Sequence, residues 1–189
     1  MIGTWIRLDP LQATDAPGLA DAAADGRLWE SVVTVIPPPE GMAAFVDQRR
    51  ADVATGSWQA FTVRRLTDDR ILGLTNYLHI DDVNRRREIG GTWYSASVQR
   101  TAVNSEAKLL LLDHAFGPLG CVAVELRTHA RNLASRAAIE RLGAKQDGIL
   151  RHHMFMPDGS LRDTVVYSIL AGEWPALRER LTARLAAHR

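Results

Sequence analysis

The sequence changes its period abruptly between Ser95 and Lys108, and this change constrains the fold more than any other feature. Before it, residues 58–65, 71–80 and 88–95 read as three successive strands, with Thr67-Asp68-Asp69-Arg70 as the hairpin turn between the first two. After it, Val103, Ala107, Leu110, Leu111 and Ala115 mark one helical face, and Leu109, Leu112 and Phe116 widen the apolar surface around it. A helix apolar over so much of its circumference is buried on more than one side. The joint itself, residues 99–107, is a polar loop opening that helix. First-turn N–H groups lack intrahelical partners and lie at the positive end of the helix dipole, so the joint suits a phosphate-like anion. Every helix start offers as much, and alone the signal is weak.

On either side of the joint the pattern is regular. Ile6 and Leu8 mark an opening strand, Thr14 or Asp15 heads a helix to about residue 25, and the proline-rich residues 36–41 form a loop before a helix over 42–54. Residues 121–128 alternate, with Val122, Val124 and Leu126 opposite Glu125 and Arg127. Ser135, Ala138, Ile139 and Leu142 recur at helical spacing, with Gly143 as the stop. Residues 149–156 and 164–170 form a final hairpin around Pro157-Asp158-Gly159, and Pro175 starts an amphipathic tail helix. The expectation is a single α/β domain over residues 1–189 with a mixed sheet.

Charge and composition exclude several classes. Lys plus Arg number 23 against 22 Asp plus Glu, so no global field points to nucleic acid or an anionic membrane. No apolar run approaches the ~18 residues of a membrane span, and the N-terminus lacks a secretory signal. Cys121 is the one cysteine, which fits a reducing compartment, so a cytoplasmic protein is expected. His152 and His153 are strand neighbours pointing to opposite faces, the other histidines are scattered, and no metal site is expected.

The joint gains weight from motifs further along the chain. Asn132-Leu133-Ala134-Ser135-Arg136, the helix end Arg141-Leu142-Gly143, Arg162-Asp163-Thr164 and Glu173-Trp174-Pro175 come in order and at characteristic spacing. Together with the joint they resemble the GNAT acetyltransferases, in particular the RimJ/RimL-like branch. The pyrophosphate loop of that family reads Arg/Gln-x-x-Gly-x-Gly/Ala, followed in this branch by Glu-Ala. Gln99 takes the first position, Ala102 and Asn104 fall where small residues belong, and Glu106-Ala107 matches outright. The resemblance covers roughly residues 89–175 well and the first eighty in outline. It implies a three-layer α/β fold, with a mixed, mostly antiparallel twisted sheet of about seven strands splayed between the fourth and fifth and helices on both faces.

The same resemblance implies an acetyl-CoA-dependent N-acetyltransferase that moves an acetyl group directly to an amine through a tetrahedral intermediate. Backbone N–H groups of Trp93, Tyr94 and Ser95 would bind the thioester carbonyl and its oxyanion. Gln99 would contribute to the cofactor loop, and the pyrophosphate would lie over Arg100, Thr101, Ala102, Val103 and Asn104. Ala102 replaces a glycine, and an αL backbone there would cost it about 1–2 kcal/mol, whereas Asn104 tolerates αL or can cap the helix. Asn132 and Ser135 match cofactor-contacting positions, with Ser135 the candidate proton donor to the leaving thiolate. Arg136 and Arg141 are candidate phosphate partners. The plainer readings are that Asn132 caps its helix and that both arginines belong to a solvated face.

Glu88 is the candidate general base, acting directly or through water; the competing reading is an exposed residue after Arg85-Arg86-Arg87. A lysine amine is neutral only about once in 10³ at pH 7, a deficit of roughly 4–5 kcal/mol, while an α-amine lacks only about 1 kcal/mol. A chain without an unmistakable base therefore favours a protein N-terminal α-amine or another low-pKa small-molecule amine as acceptor. The protein is expected to be a monomer or homodimer with no nucleic-acid or membrane partner. The alternative is a GNAT-fold protein that binds an acyl-CoA as a sensor without transferring its group.

Overall fold

Seven alternating segments pair into one sheet in the computed structural model, which describes residues 1–188. The strands are β1 (Ile6–Pro10), β2 (Trp58–Arg65), β3 (Ile71–Asp81), β4 (Arg86–Tyr94), β5 (Ala123–His129), β6 (Lys145–Phe155) and β7 (Leu161–Leu170). Their order is β1-β2-β3-β4-β5-β7-β6. Every neighbouring pair is antiparallel except β4 and β5, which run parallel. That parallel contact is short: Arg86, Arg87 and Glu88 pair with Ala123, Val124 and Glu125, and beyond Glu88 the two strands part. The mixed sheet is therefore split between its fourth and fifth strands, as the resemblance implies.

Helices cover both faces. Helices α1 (Ala16–Ala24) and α2 (Met42–Ala54) lie over one. They bury Leu19, Met42 and Val46 against Leu74 of β3 and Trp93 of β4. That cluster draws nothing from β5, β6 or β7, so this face is apolar only as far as the split. The opposite core gathers Leu111 of α3 (Ala102–Phe116), Ile139 of α4 (Leu133–Leu142) and Leu181 of α5 (Trp174–Ala186) around Ile6, Tyr77, Val124 and Tyr167. Helix α3 is apolar on several sides because it fills the space between sheet and α5.

Glu106 explains why the loop motif carries an acid inside an apolar helix. Its buried carboxylate accepts the backbone N–H groups of Thr4 at 2.5 Å, Trp5 at 2.9 Å and Ile6 at 3.0 Å. Charge-assisted bonds of this kind fix α3 to the sheet edge at the entry to β1.

Several element limits differ from those read in the sequence. Strand β6 starts at Lys145 rather than 149, because it is exposed along almost its whole length and so lacks apolar alternation to mark its start. Cys121 is buried but precedes β5, which starts at Ala123. Asp15 ends a short 3-10 turn ahead of α1, and its buried carboxylate accepts from Thr62 Oγ1 at 2.6 Å and pairs with Arg64 instead of capping α1.

Candidate active site

The loop after β4 is built by three side chains. Gln99 Nε2 donates to the Tyr94 carbonyl at 3.0 Å, tying the loop back onto the strand end. Thr101 is the N-cap of α3: its Oγ1 donates to the Val98 carbonyl at 2.6 Å and accepts from Val103 N–H at 3.4 Å. Arg100 adopts the left-handed conformation, with φ of 61°. Ala102 is already helical, so the strain that an αL alanine would carry does not arise; the positive φ falls two residues earlier. Asn104 lies in the first helical turn, half-buried, and the capping role expected of it belongs to Thr101. Gln99 holds the loop's shape with an amide that is already engaged.

Strand β4 reaches this loop through a bulge. One extra residue separates the Asn76–Gly90 and Leu74–Trp93 pairs, and Gly91 absorbs it with φ of 56°. A Cβ on Gly91 would stand 2.7 Å from Asn76 Nδ2, which itself donates to the Gly90 and Gly91 carbonyls. Past the bulge, Ser95 N–H donates to the Leu72 carbonyl at 2.8 Å. Of the three expected donors that one is already engaged with β3, while strand alternation turns the Tyr94 N–H to the open edge. Trp93 Nε1, Tyr94 OH and Ser95 Oγ are all buried with no partner among the described residues. Trp93 packs in the core under α1 and α2 and Tyr94 in the opposite core, so these atoms lie on both faces of the chain where it leaves β5. Burial alone pushes the Tyr94 hydroxyl pKa well above its ordinary value.

Glu88 occupies the last paired position before the strands part, and it is buried, not exposed. Its Oε2 lies 2.8 Å from His79 Nδ1 and 3.2 Å from Arg127 Nε, and Gly90 leaves room for Oε1. Burial raises the carboxyl pKa; His79 and Arg127 pull it back without cancelling the rise. A carboxylate held above its ordinary range is suited to taking a proton near neutrality. Neither partner was legible in the sequence, since both reach Glu88 across strand pairings.

On the far side of the split, Asn132 caps α4, its Oδ1 accepting from Ser135 N–H at 3.0 Å. The half-exposed Ser135 sits in the first turn of that helix. Arg136 Nε donates to Tyr167 OH at 3.1 Å, and Tyr167 donates to Glu140 at 2.9 Å, so Arg136 is held in a surface network. Arg141 is exposed at the end of α4. Sequence reading missed Arg184 of α5, which donates to the Arg141 carbonyl at 3.3 Å and to Ser105 Oγ at 3.4 Å and brings a cation to the first turn of α3. A cleft of about 510 Å³ also opens beside the loop, between Trp5, Leu72, Arg65 and Arg100. It lies on the β1–β3 side and does not reach Asn132 or Ser135.

Taken together, these features define an α/β protein whose sheet parts between β4 and β5, with a helix start beyond one end of the split and a buried carboxylate at its apex. Residues 6–145 match the acetyltransferase (GNAT) domain, and the chain belongs to the GNAT acetyltransferase family. It is 31% identical to YdaF of Bacillus subtilis (strain 168), named as a ribosomal N-acetyltransferase, over 109 residues, 58% of each chain. A GCN5-related N-acetyltransferase from Brucella melitensis superposes with a TM-score of 0.86 at 29% identity, over 97% of this chain and 84% of that one. The fold is shared as well with an acetyltransferase from Salmonella typhimurium, described as modifying the N-terminal serine of ribosomal protein L7/L12. That structure superposes with a TM-score of 0.77 at 17% identity, over 89% of this chain and 96% of that one. The resemblance to the GNAT family holds.

Proposed function

We propose that the protein, acting as one domain in the cytoplasm, transfers an acetyl group from acetyl-CoA to an α-amine, with a peptide N-terminus as the preferred acceptor. The observation that carries this reading is the parting of β4 from β5 directly after Glu88, which leaves the Trp93–Tyr94 end of β4 without a strand on that side. Acetyl-CoA supplies the activated thioester. Its pyrophosphate fits the first turn of α3 between Arg100 and Asn104, with Arg141 and Arg184 supplying positive charge nearby. The Tyr94 N–H on the open edge serves as the donor to the acyl oxygen. The first proton of the incoming ammonium leaves at the Glu88 end of the split, and Ser135 relays the second, shed by the nitrogen after attack, to the departing thiolate.

The acceptor follows from energetics and from the relatives. An α-amine needs only about 1 kcal/mol to become neutral at pH 7, within reach of a single raised carboxylate, whereas a lysine needs roughly 4–5 kcal/mol. The Salmonella protein is described as modifying an N-terminal serine, which is an α-amine, and YdaF is named for ribosomal N-acetylation. Thiol release from acetyl-CoA, measured with peptides bearing a free N-terminal serine, alanine or methionine, tests this. Release with at least one peptide is expected. Tight acetyl-CoA binding without release on any peptide or small amine would instead establish an acyl-CoA sensor.

A further inference from the structure

Glu88 is well placed as a carboxylate but poorly placed to meet a substrate. Its side chain is only 6% exposed; Oε2 is engaged by His79 and Arg127, and Oε1 lies over Gly90. His79, by contrast, is 60% exposed. It owes its position to a second bulge: between the Leu78–Glu88 and Asp81–Arg86 pairs, β3 carries one residue more than β4. His79 takes up that residue with φ of 49°, a conformation that side chains with a Cβ reach only at a cost. The result is a ring whose Nδ1 meets the carboxylate while most of the side chain stays exposed.

We propose that His79 is the group that takes the proton from the acceptor amine, and that Glu88 positions it. The proposal rests on the acetyl-transfer reading above. With Nδ1 donating to the Glu88 carboxylate, Nδ1 carries the ring proton and Nε2 presents a lone pair to the apex of the split. The acceptor ammonium gives one proton to Nε2 and becomes the neutral amine whose lone pair attacks the acyl carbon. The imidazolium formed is held against Glu88 and returns that proton to bulk water through its exposed face. This divides the labour as in other His–carboxylate pairs, where the acid fixes tautomer and orientation and the imidazole exchanges the proton.

Other charges bear on the pair. Arg127 and Glu125 face it from β5, and the charge of Arg162 on β7 acts on Glu88. Asp81 and Arg86 flank the bulge, with Arg86 bonded to Glu125 at 2.6 Å. The Glu88 carboxylate, at 2.8 Å, is the nearest of these to the ring and fixes its orientation.

The test is the pH dependence of kcat/KM with acetyl-CoA and an N-terminal serine peptide, for the wild-type protein, His79→Gln, His79→Gly and Glu88→Gln. An α-amine is neutral about one time in ten at pH 7, so the base gains at most about tenfold. His79→Gln is expected to lose about that factor and the acidic inflection with it, at unchanged KM for acetyl-CoA. His79→Gly, whose residue is at ease at positive φ, keeps the backbone and regains rate when imidazole is added to the buffer. Glu88→Gln is expected to lower kcat at unchanged KM for acetyl-CoA, since the ring loses the carboxylate that orients it. Wild-type rate and an unchanged acid limb in His79→Gln would overturn the assignment while leaving acetyl transfer standing. No turnover by the wild-type protein on any amine would remove the acetyl-transfer reading, and this one with it.

Discussion

Asn104→Asp is expected to raise the dissociation constant for acetyl-CoA about 10- to 100-fold without lowering the melting temperature. The two effects have opposite signs for one physical reason. A carboxylate in the first turn of a helix interacts favourably with the dipole and the open N–H groups, by about 0.3–1 kcal/mol, so α3 itself is not weakened. Thr101 already caps the helix, so the substitution removes no bond on which the helix start depends. The same negative charge lies within a few ångströms of the proposed pyrophosphate position, where repulsion at an effective dielectric between protein and water is about 1–3 kcal/mol. Calorimetric titration with acetyl-CoA beside a thermal melt reads both quantities. Unchanged affinity would place the phosphates away from this turn, and a lowered melting temperature would mean that Asn104 supports the helix in a way its half-buried position does not suggest.

Lys108→Met is expected to stabilise the protein by about 2 kcal/mol at pH 7, which corresponds to roughly 4–8 °C in a chain of this size. Lys108 is buried in α3, its Nζ donating to Thr92 Oγ1 at 3.2 Å, and no carboxylate pairs with it among the described residues. Thr92 in turn shares a 2.8 Å bond with Thr75, so the ammonium sits behind the bulge of β4. Burial lowers the lysine pKa from 10.5 to about 8. Because the charge is disfavoured only in the folded protein, the deficit is whole below about pH 8, and it fades as pH rises toward 10.5, where the unfolded chain also loses its proton. Removing the charge recovers about 3 kcal/mol, less about 1 kcal/mol for the bond to Thr92. Urea melts at pH 7 and pH 10 check this: the advantage of the variant should shrink at the higher pH, and an equal gap at both would contradict it.

The parts of the fold legible in the sequence are those where apolar spacing is enforced by burial. Helix α2 and strand β2 have the limits expected from residues 42–54 and 58–65, because α2 buries one side against a core and β2 lies between both cores. Exposed β6 hid its start, as no buried face imposed alternation. In the site, the motif residues of the loop were visible, but their division of labour was not. Gln99 and Thr101 shape the loop through bonds to Tyr94 and Val98, and only the folded turn reveals them. Glu88 was visible as an acid on a strand. His79 was invisible as its partner, because a regular antiparallel register would have given the ring no reason to meet Glu88; the extra residue on β3 changes that. Backbone irregularities of this kind leave no period in a single sequence, and here two of them, at Gly91 and His79, lie beside the split.

The most direct test of the account is to locate the acetyl group by mass spectrometry on one peptide carrying both a free N-terminal serine and an internal lysine, after incubation with the protein and acetyl-CoA. The account predicts acetylation of the α-nitrogen, with the lysine left free. Acetylation confined to the lysine, or an unmodified peptide at full acetyl-CoA occupancy, would contradict it.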